Sequence, residues 1–195
     1  MVQPQTLHKV IHRLNCWLCR RKVPYRFGIH HCQDEQETEA VYQNLTLPSN
    51  CHSVKLDDCA LTYVYLKHVN TQTIATYIAF ALYRSPVPYV DLVWGCTDRH
   101  HRRKGLSTLV RMVPIILALR LKLNLVVSDA NQCSGPLLRN QFGFVWNDNE
   151  EYVEHIGNLL QWKSSPTAYL DLRNASVQKQ TLQALKRIVQ TYAKK

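Results

Sequence analysis

Leu7, Val10, Ile11, Leu14, Trp17 and Leu18 recur at the three- and four-residue spacing of one helix face, and His8, Lys9, His12 and Arg13 fill the other. That predicts a basic amphipathic helix within residues 1–22, whose apolar stripe packs on the domain, contacts an anionic surface or belongs to a targeting segment. Tyr25 to His31 follows as a first strand. Asp34 to Leu45 reads as a helix, with Val41 and Leu45 one turn apart and acids in its first turn to suit the dipole. Alternating, Tyr- and Val-rich runs predict strands over Ala60 to Val69 and Thr73 to Tyr83, and Asn70-Thr71-Gln72 between them suits a hairpin turn. Tyr89 to Thr97 is a third such strand.

The pattern then changes. Gly105 to Leu121 is apolar on nearly every side and predicts a buried helix, which Pro114 should bend or shift in register. Asn124 to Ser128 is a short buried strand. Ser134 to Gln141 is a second helix, with Pro136 in its first turn and Gly143 closing it. Phe144 to Trp146 and Tyr169 to Leu172 read as further strands. Ser176 would cap a last helix whose face is Leu182, Leu185, Ile188, Val189 and Tyr192. Hairpin strands first and helix-linked strands later predict an α/β (α+β) chain. Its central sheet is mixed and mostly antiparallel, with helices on both faces.

At 195 residues the chain suits one core domain with short extensions, and no stretch reaches the roughly 20 apolar residues of a membrane span. No apolar signal segment with a small-residue cleavage site is seen near the N-terminus, so a cytoplasmic protein with reduced thiols is expected. The net charge of +10 is uneven. Residues 1–33 carry six basic side chains and no acid, and so do residues 173–195; the middle is slightly acidic. An argument for nucleic acid or another anionic surface as partner therefore applies to the two ends.

The chemistry concentrates between Tyr89 and Val110. A strand runs into His100-His101-Arg102-Arg103-Lys104, a glycine follows, and the long apolar helix begins. Helix N-termini offer unpaired N–H groups and partial positive charge, Gly105 lets a phosphate approach the backbone, and three cations surround it.

Arg102-x-x-Gly105-x-Ser107 at that junction resembles the Arg/Gln-x-x-Gly-x-Gly/Ala signature of the GNAT superfamily of N-acetyltransferases. Asn131-Gln132-Cys133-Ser134, followed by Leu138 and Gly143-Phe144-Val145, resembles that family's next block, Asn-x-x-Ser with a terminal Gly-Phe. The resemblance implies a GNAT-like fold over residues 23–173, with residues 1–22 as an N-terminal helical extension and 174–195 as a basic C-terminal helix. It implies acetyl-CoA as co-substrate and no metal. Backbone N–H groups of Arg103, Lys104, Gly105, Leu106 and Ser107, with Arg102 beside them, would hold the pyrophosphate. The strand end at Cys96 and Thr97 would pair with the pantetheine arm, a backbone N–H on the Cys96 side would polarise the thioester carbonyl, and Asn131 and Ser134 would contact the cofactor.

This chain departs from the family pattern twice. Ser107 stands where Gly or Ala is usual, and Arg139 stands four residues before Gly143, where many members carry a tyrosine acid. Arg139 keeps its proton, so Tyr152 or solvent would protonate the leaving thiolate. Asp91, eleven residues before Arg102, matches the offset of the base glutamate in histone-type members and would take the amine's proton. The acidic clusters Asp34, Glu35, Glu37, Glu39 and Asp148, Glu150, Glu151, Glu154 would attract a cationic amine: a polyamine, a lysine side chain of a basic protein segment or an aminoglycoside. The alternative is a catalytically inactive module of the same fold whose basic ends bind nucleic acid or another anion. Cys16-x-x-Cys19 with His30, His31 and Cys32 has finger-like spacing, but Trp17 and Leu18 between the first pair belong to a helix face, which favours thiols without metal.

Overall fold

The computed structural model describes residues 4–32, 37, 61–83, 88–127, 134–146 and 168–193. Apart from residue 37, the helix expected over Asp34 to Leu45 lies outside them, as do the positions Asn131 and Tyr152. Among the described residues the elements follow the expected order: α1 (Pro4–Arg20), β1 (Tyr25–Cys32), β2 (Leu61–His68), β3 (Ile74–Tyr83), β4 (Tyr89–Thr97), α2 (Leu106–Leu121), β5 (Asn124–Val127), α3 (Ser134–Leu137), β6 (Val145–Trp146), β7 (Ala168–Leu170) and α4 (Ala175–Ala193).

 The sheet they form has seven strands in the order β1-β2-β3-β4-β5-β7-β6 and is flanked by helices. It is mixed and mostly antiparallel, as the strand pattern implied, and the parallel pair is β4 with β5.

The chain divides into two compact units. The first comprises Met1–Ala81 with Trp94–Leu117, and the second Leu82–Val93 with Ala118–Lys195.

In the first unit, β1 and β2 pair antiparallel from Tyr25↔His68 to Cys32↔Leu61. β2 turns into β3 through the expected hairpin, where Gln72 takes a φ of +57° and His68 N donates to Thr73 O at 2.9 Å. β3 is buried without a break from Ala75 to Ala81, as a strand covered on both faces must be. α1 sinks Leu7, Val10, Ile11, Leu14 and Leu18 into the core and leaves His8, Lys9, His12 and Arg13 exposed, so its stripe packs on the domain. Its partner is β1. β1 ends the strand order, and Asn15 of α1 closes its open side: Asn15 Nδ2 donates to Phe27 O at 2.9 Å, and Phe27 N donates to Asn15 Oδ1 at 2.7 Å. α2 buries Leu106, Leu109, Val110, Met112, Val113 and Ile115, and the α-helix runs on past Pro114 to Leu121.

In the second unit, β4 and β5 run parallel from Tyr89↔Asn124 to Asp91↔Val126, and β7 pairs antiparallel with both β5 and β6. The helix expected over Ser134 to Gln141 is one α turn followed by a π turn, Leu138–Phe142, which buries Leu138 and Phe142 together. Gly143 stops it at a φ of +76°, its N–H donating to Arg139 O at 3.1 Å.

Two details of α4 differ from the sequence reading. Asn174 caps it rather than Ser176, since Asn174 Oδ1 accepts from Ser176 N at 2.9 Å and Val177 N at 3.3 Å. Its buried face is Thr181, Ala184 and Leu185, and Leu182 is 48 % exposed. Leu185 is buried as expected, Ile188, Val189 and Tyr192 of the expected face are half-buried, and packing turns Leu182 outward.

Candidate functional site: the junction of β4 and α2

Along β4 burial falls away. Tyr89, Val90, Asp91 and Leu92 are buried, and Val93 to Thr97 are half-buried. The end of the strand is held by its neighbour β3: Thr76 Oγ1 donates to Cys96 O at 2.9 Å and lies 2.8 Å from Thr97 Oγ1, and Asp98 N donates to Ala75 O at 2.9 Å. Asp98 then starts a single 3-10 turn, Arg99–His101, its carboxylate accepting from His100 N at 2.8 Å.

Past that turn the chain must reverse into α2. Arg102 is extended, Arg103 has a φ of +60° and Gly105 a φ of +75°. Gly105 takes the left-handed conformation without a Cβ clash, whereas Arg103 carries a cost of about 1–2 kcal/mol. Strain of this kind persists where the surrounding structure fixes it, and here it sits at the head of a 16-residue helix. Thr108 N and Leu109 N donate back to Gly105 O at 3.1 and 3.3 Å, the N–H groups ahead of them have no carbonyl one turn back in the helix to receive them, and the helix dipole adds positive charge. Arg102, Arg103, Lys104 and Gly105 are exposed around that end, and Arg102 Nε donates to Thr97 O at 3.3 Å, tying the loop to the strand. Residues 99–107 include no acid. Between Arg99 and Ser107 the junction presents N–H groups and cationic side chains, which suits a phosphate ester or a diphosphate.

Two groups that sequence reasoning passed over complete the surroundings. Arg111, one turn into α2, is 7 % exposed and donates from Nη1 to Ser107 O at 3.2 Å and to Ser107 Oγ. Burial alone pushes its pKa down to about 10, and no carboxylate offsets that among the described residues. A cation in the middle of an apolar run, away from the helix end where Arg120 sits, was the available signal. The second is Tyr25, whose hydroxyl lies 2.9 Å from His101 Nδ1, with the His68 ring 5.2 Å from Tyr25 and 5.9 Å from His101 by centroids. His101 is shifted below the ordinary histidine value, by burial first and Lys104 next, against an opposing pull from Asp98.

The remaining candidates are spread along the chain. Asp91 lies in the buried part of β4, 3 % exposed and in register with Val126. Ser134 opens α3 and is half-buried. Arg139 is exposed and stacks over the Trp146 ring at 5.0 Å, a cation–π contact. Asn131 and Tyr152 lie outside the described residues. Cys16 is half-buried with its sulfur 3.6 Å from His12 Nε2, Cys19 is exposed and Cys32 buried. Among the described residues no group of three or more His, Cys, Asp or Glu is placed to hold a metal ion, and no helix is long and apolar enough to cross a membrane.

No protein-family model matches the chain, and no curated protein sequence does. Among solved structures it is similar to an acetyltransferase of the GNAT family from Staphylococcus aureus, at 9 % identity over 73 % of this chain and 96 % of that one, with a TM-score of 0.43. It is also similar to the ribosomal-protein-alanine N-acetyltransferase of Brucella melitensis, at 13 % identity over 72 % of this chain and 94 % of that one, with a TM-score of 0.40. A third is a mutant of the toxin AtaT bound to the C-terminus of the antitoxin AtaR and acetyl-CoA, at 13 % identity over 65 % of this chain and 88 % of that one, with a TM-score of 0.42. At these identities and scores the likeness is distant; what this chain can do is read from its own residues.

Proposed function

We propose that this chain is an acyl-CoA-dependent N-acyltransferase of the GNAT type, moving an acetyl group from acetyl-CoA to a primary amine. The observation that carries the proposal is the junction of β4 and α2, where two left-handed residues, Arg103 and Gly105, lead into a helix head surrounded by donors and cations. Those groups fit a diphosphate. Acetyl-CoA supplies the acyl group already activated as a thioester.

In this reading the N–H groups from Arg103 to Ser107 bind the diphosphate, and the cationic side chains of Arg102, Arg103 and Lys104 offset its charge. The half-buried end of β4 at Cys96 and Thr97 aligns the pantetheine arm, and a backbone N–H on the Cys96 side stabilises the oxyanion. Asn131 and Ser134 hold the cofactor further along. Asp91 receives the ammonium proton through water, and Tyr152 or solvent protonates the departing thiolate. The amine is cationic before attack, and the acidic residues around Asp34 to Glu39 and Asp148 to Glu154 would draw in a polyamine, a lysine side chain or an aminoglycoside.

Calorimetric titration with acetyl-CoA and with free CoA tests the reading. Binding of both at micromolar affinity is expected, with loss of binding in Gly105→Asp, which puts a side chain and a negative charge at the helix head. Normal affinity in that variant would sink the loop assignment. A second reading has one observation in its favour: α1 buries its apolar stripe and keeps a basic outer face. In that reading the fold is a binding module, catalytically inactive, whose basic ends hold nucleic acid or another anionic surface.

A further inference from the structure

Arg111 is a charged side chain where the packing calls for an apolar one. Helical side chains lean toward the N-terminus, so its guanidinium runs back along α2 to Ser107, whose carbonyl and hydroxyl both accept from Nη1. On the other side it lies beside β4 at Gly95. A Cβ built there would be 2.9 Å from Ile78 Cδ1, 3.1 Å from Tyr77 O and 3.5 Å from Arg111 Nη2. The neighbouring strand, through Ile78 and Tyr77 O, crowds that position, and the guanidinium borders it at ordinary contact distance. Among the described residues no carboxylate offsets this arginine, whose burial costs free energy, and it lies beneath a helix head that is itself positive. Two like charges gathered there are relieved by an anion.

We propose that Arg111 is the buried cation of an anion site at the head of α2, and that it holds the Ser107 hydroxyl as a donor to a phosphate-class ligand. By accepting from Nη1, Ser107 Oγ keeps its own proton for another acceptor. Arg111 is thus a positioning residue that acts through Ser107 and through its field. The CoA part of the inference rests on the acyltransferase reading; the anion site itself does not.

The test uses thermal melting and calorimetry on the full chain with inorganic pyrophosphate, CoA and pantetheine, comparing wild type, Arg111→Met and Arg111→Lys. Pyrophosphate and CoA are expected to raise the wild-type Tm. In Arg111→Met the melting temperature without ligand should hold or rise, because the uncompensated charge is gone. Its affinity for pyrophosphate and CoA should fall on the order of tenfold or more, as for a lost charged hydrogen bond. Pantetheine, which has no phosphate, should bind both proteins alike. Arg111→Lys keeps the charge without the fork, so an intermediate affinity is expected, and it serves if the Met variant does not fold. Unaltered anion affinity in either variant would overturn the proposal. Wild type that responds to pyrophosphate through Arg111 but ignores CoA would leave the anion site standing and remove the acyltransferase reading. Wild type indifferent to both anions would remove both.

Discussion

The imidazole of His101 sits in the turn between β4 and α2, with Tyr25 Oη 2.9 Å from its Nδ1. Its pKa lies below the ordinary 6.5, mainly through burial and then through Lys104. His31, on β1, is lowered in the same direction, by burial first and then by His8 and His30. Both therefore favour the neutral form when folded, and the unfolded chain binds more protons just below 6.5. Stability from these two groups is complete above that value and is lost as pH falls through the lowered folded values. Melting curves between pH 7.5 and 5 should show Tm falling below about pH 6.5. Replacing His101 by Gln should flatten that slope, and an unchanged slope in His101→Gln would count against the assignment. The same imidazole borders the proposed diphosphate loop, so a neutral His101 also keeps the Tyr25 contact available at neutral pH.

At the scale of elements, the clamp between α1 and β1 is the sharpest case. An edge strand exposes a row of unpaired N–H and C=O groups, and Asn15 answers one pair with both ends of its amide. Asn15→Ala leaves Phe27 N and O without those partners and should cost roughly 1–3 kcal/mol, read as a lower urea midpoint at unchanged slope. An unchanged midpoint would mean that water replaces the amide freely. The clamp was not legible in the sequence, because a lone Asn on a helix reads as a solvent-facing residue. What was legible rests on period: the stripe from Leu7 to Leu18, the alternation of β2 and the limits of β4 all follow from side-chain spacing. Where the structure departs from the reading, the details are local. The cap was read at Ser176 and the structure uses Asn174; Leu182 has the right character for the core, and the buried residues are instead Thr181, Ala184 and Leu185.

For the whole molecule, charge and core have to be considered together. The junction of β4 and α2 could be located from sequence, because a strand, three cations, a glycine and an apolar helix follow one another there. Arg111 could not be given its role that way, since its burial and its contacts with Ser107 follow only from how the helix packs. The basic ends pose the opposite difficulty: their charge is plain in the sequence, while their attachment to the core is not. Leu7, Val10 and Leu18 are each no more than 2 % exposed, so removing residues 1–22 strips a wall from the core along with its cations. That truncation should lower stability severely, by more than any one large-to-alanine core change of about 2–5 kcal/mol. It would then abolish any binding for a trivial reason. Lys9→Gln with Arg13→Gln is the cleaner probe, because both side chains are exposed and the stripe is untouched. If the outer face of α1 holds a polyanion, that double variant should melt as wild type does, yet elute earlier from heparin and show a shallower salt dependence, by about two phosphate contacts at most. Equal elution of the two proteins would leave α1 as a packing element whose charge keeps its outer face in water.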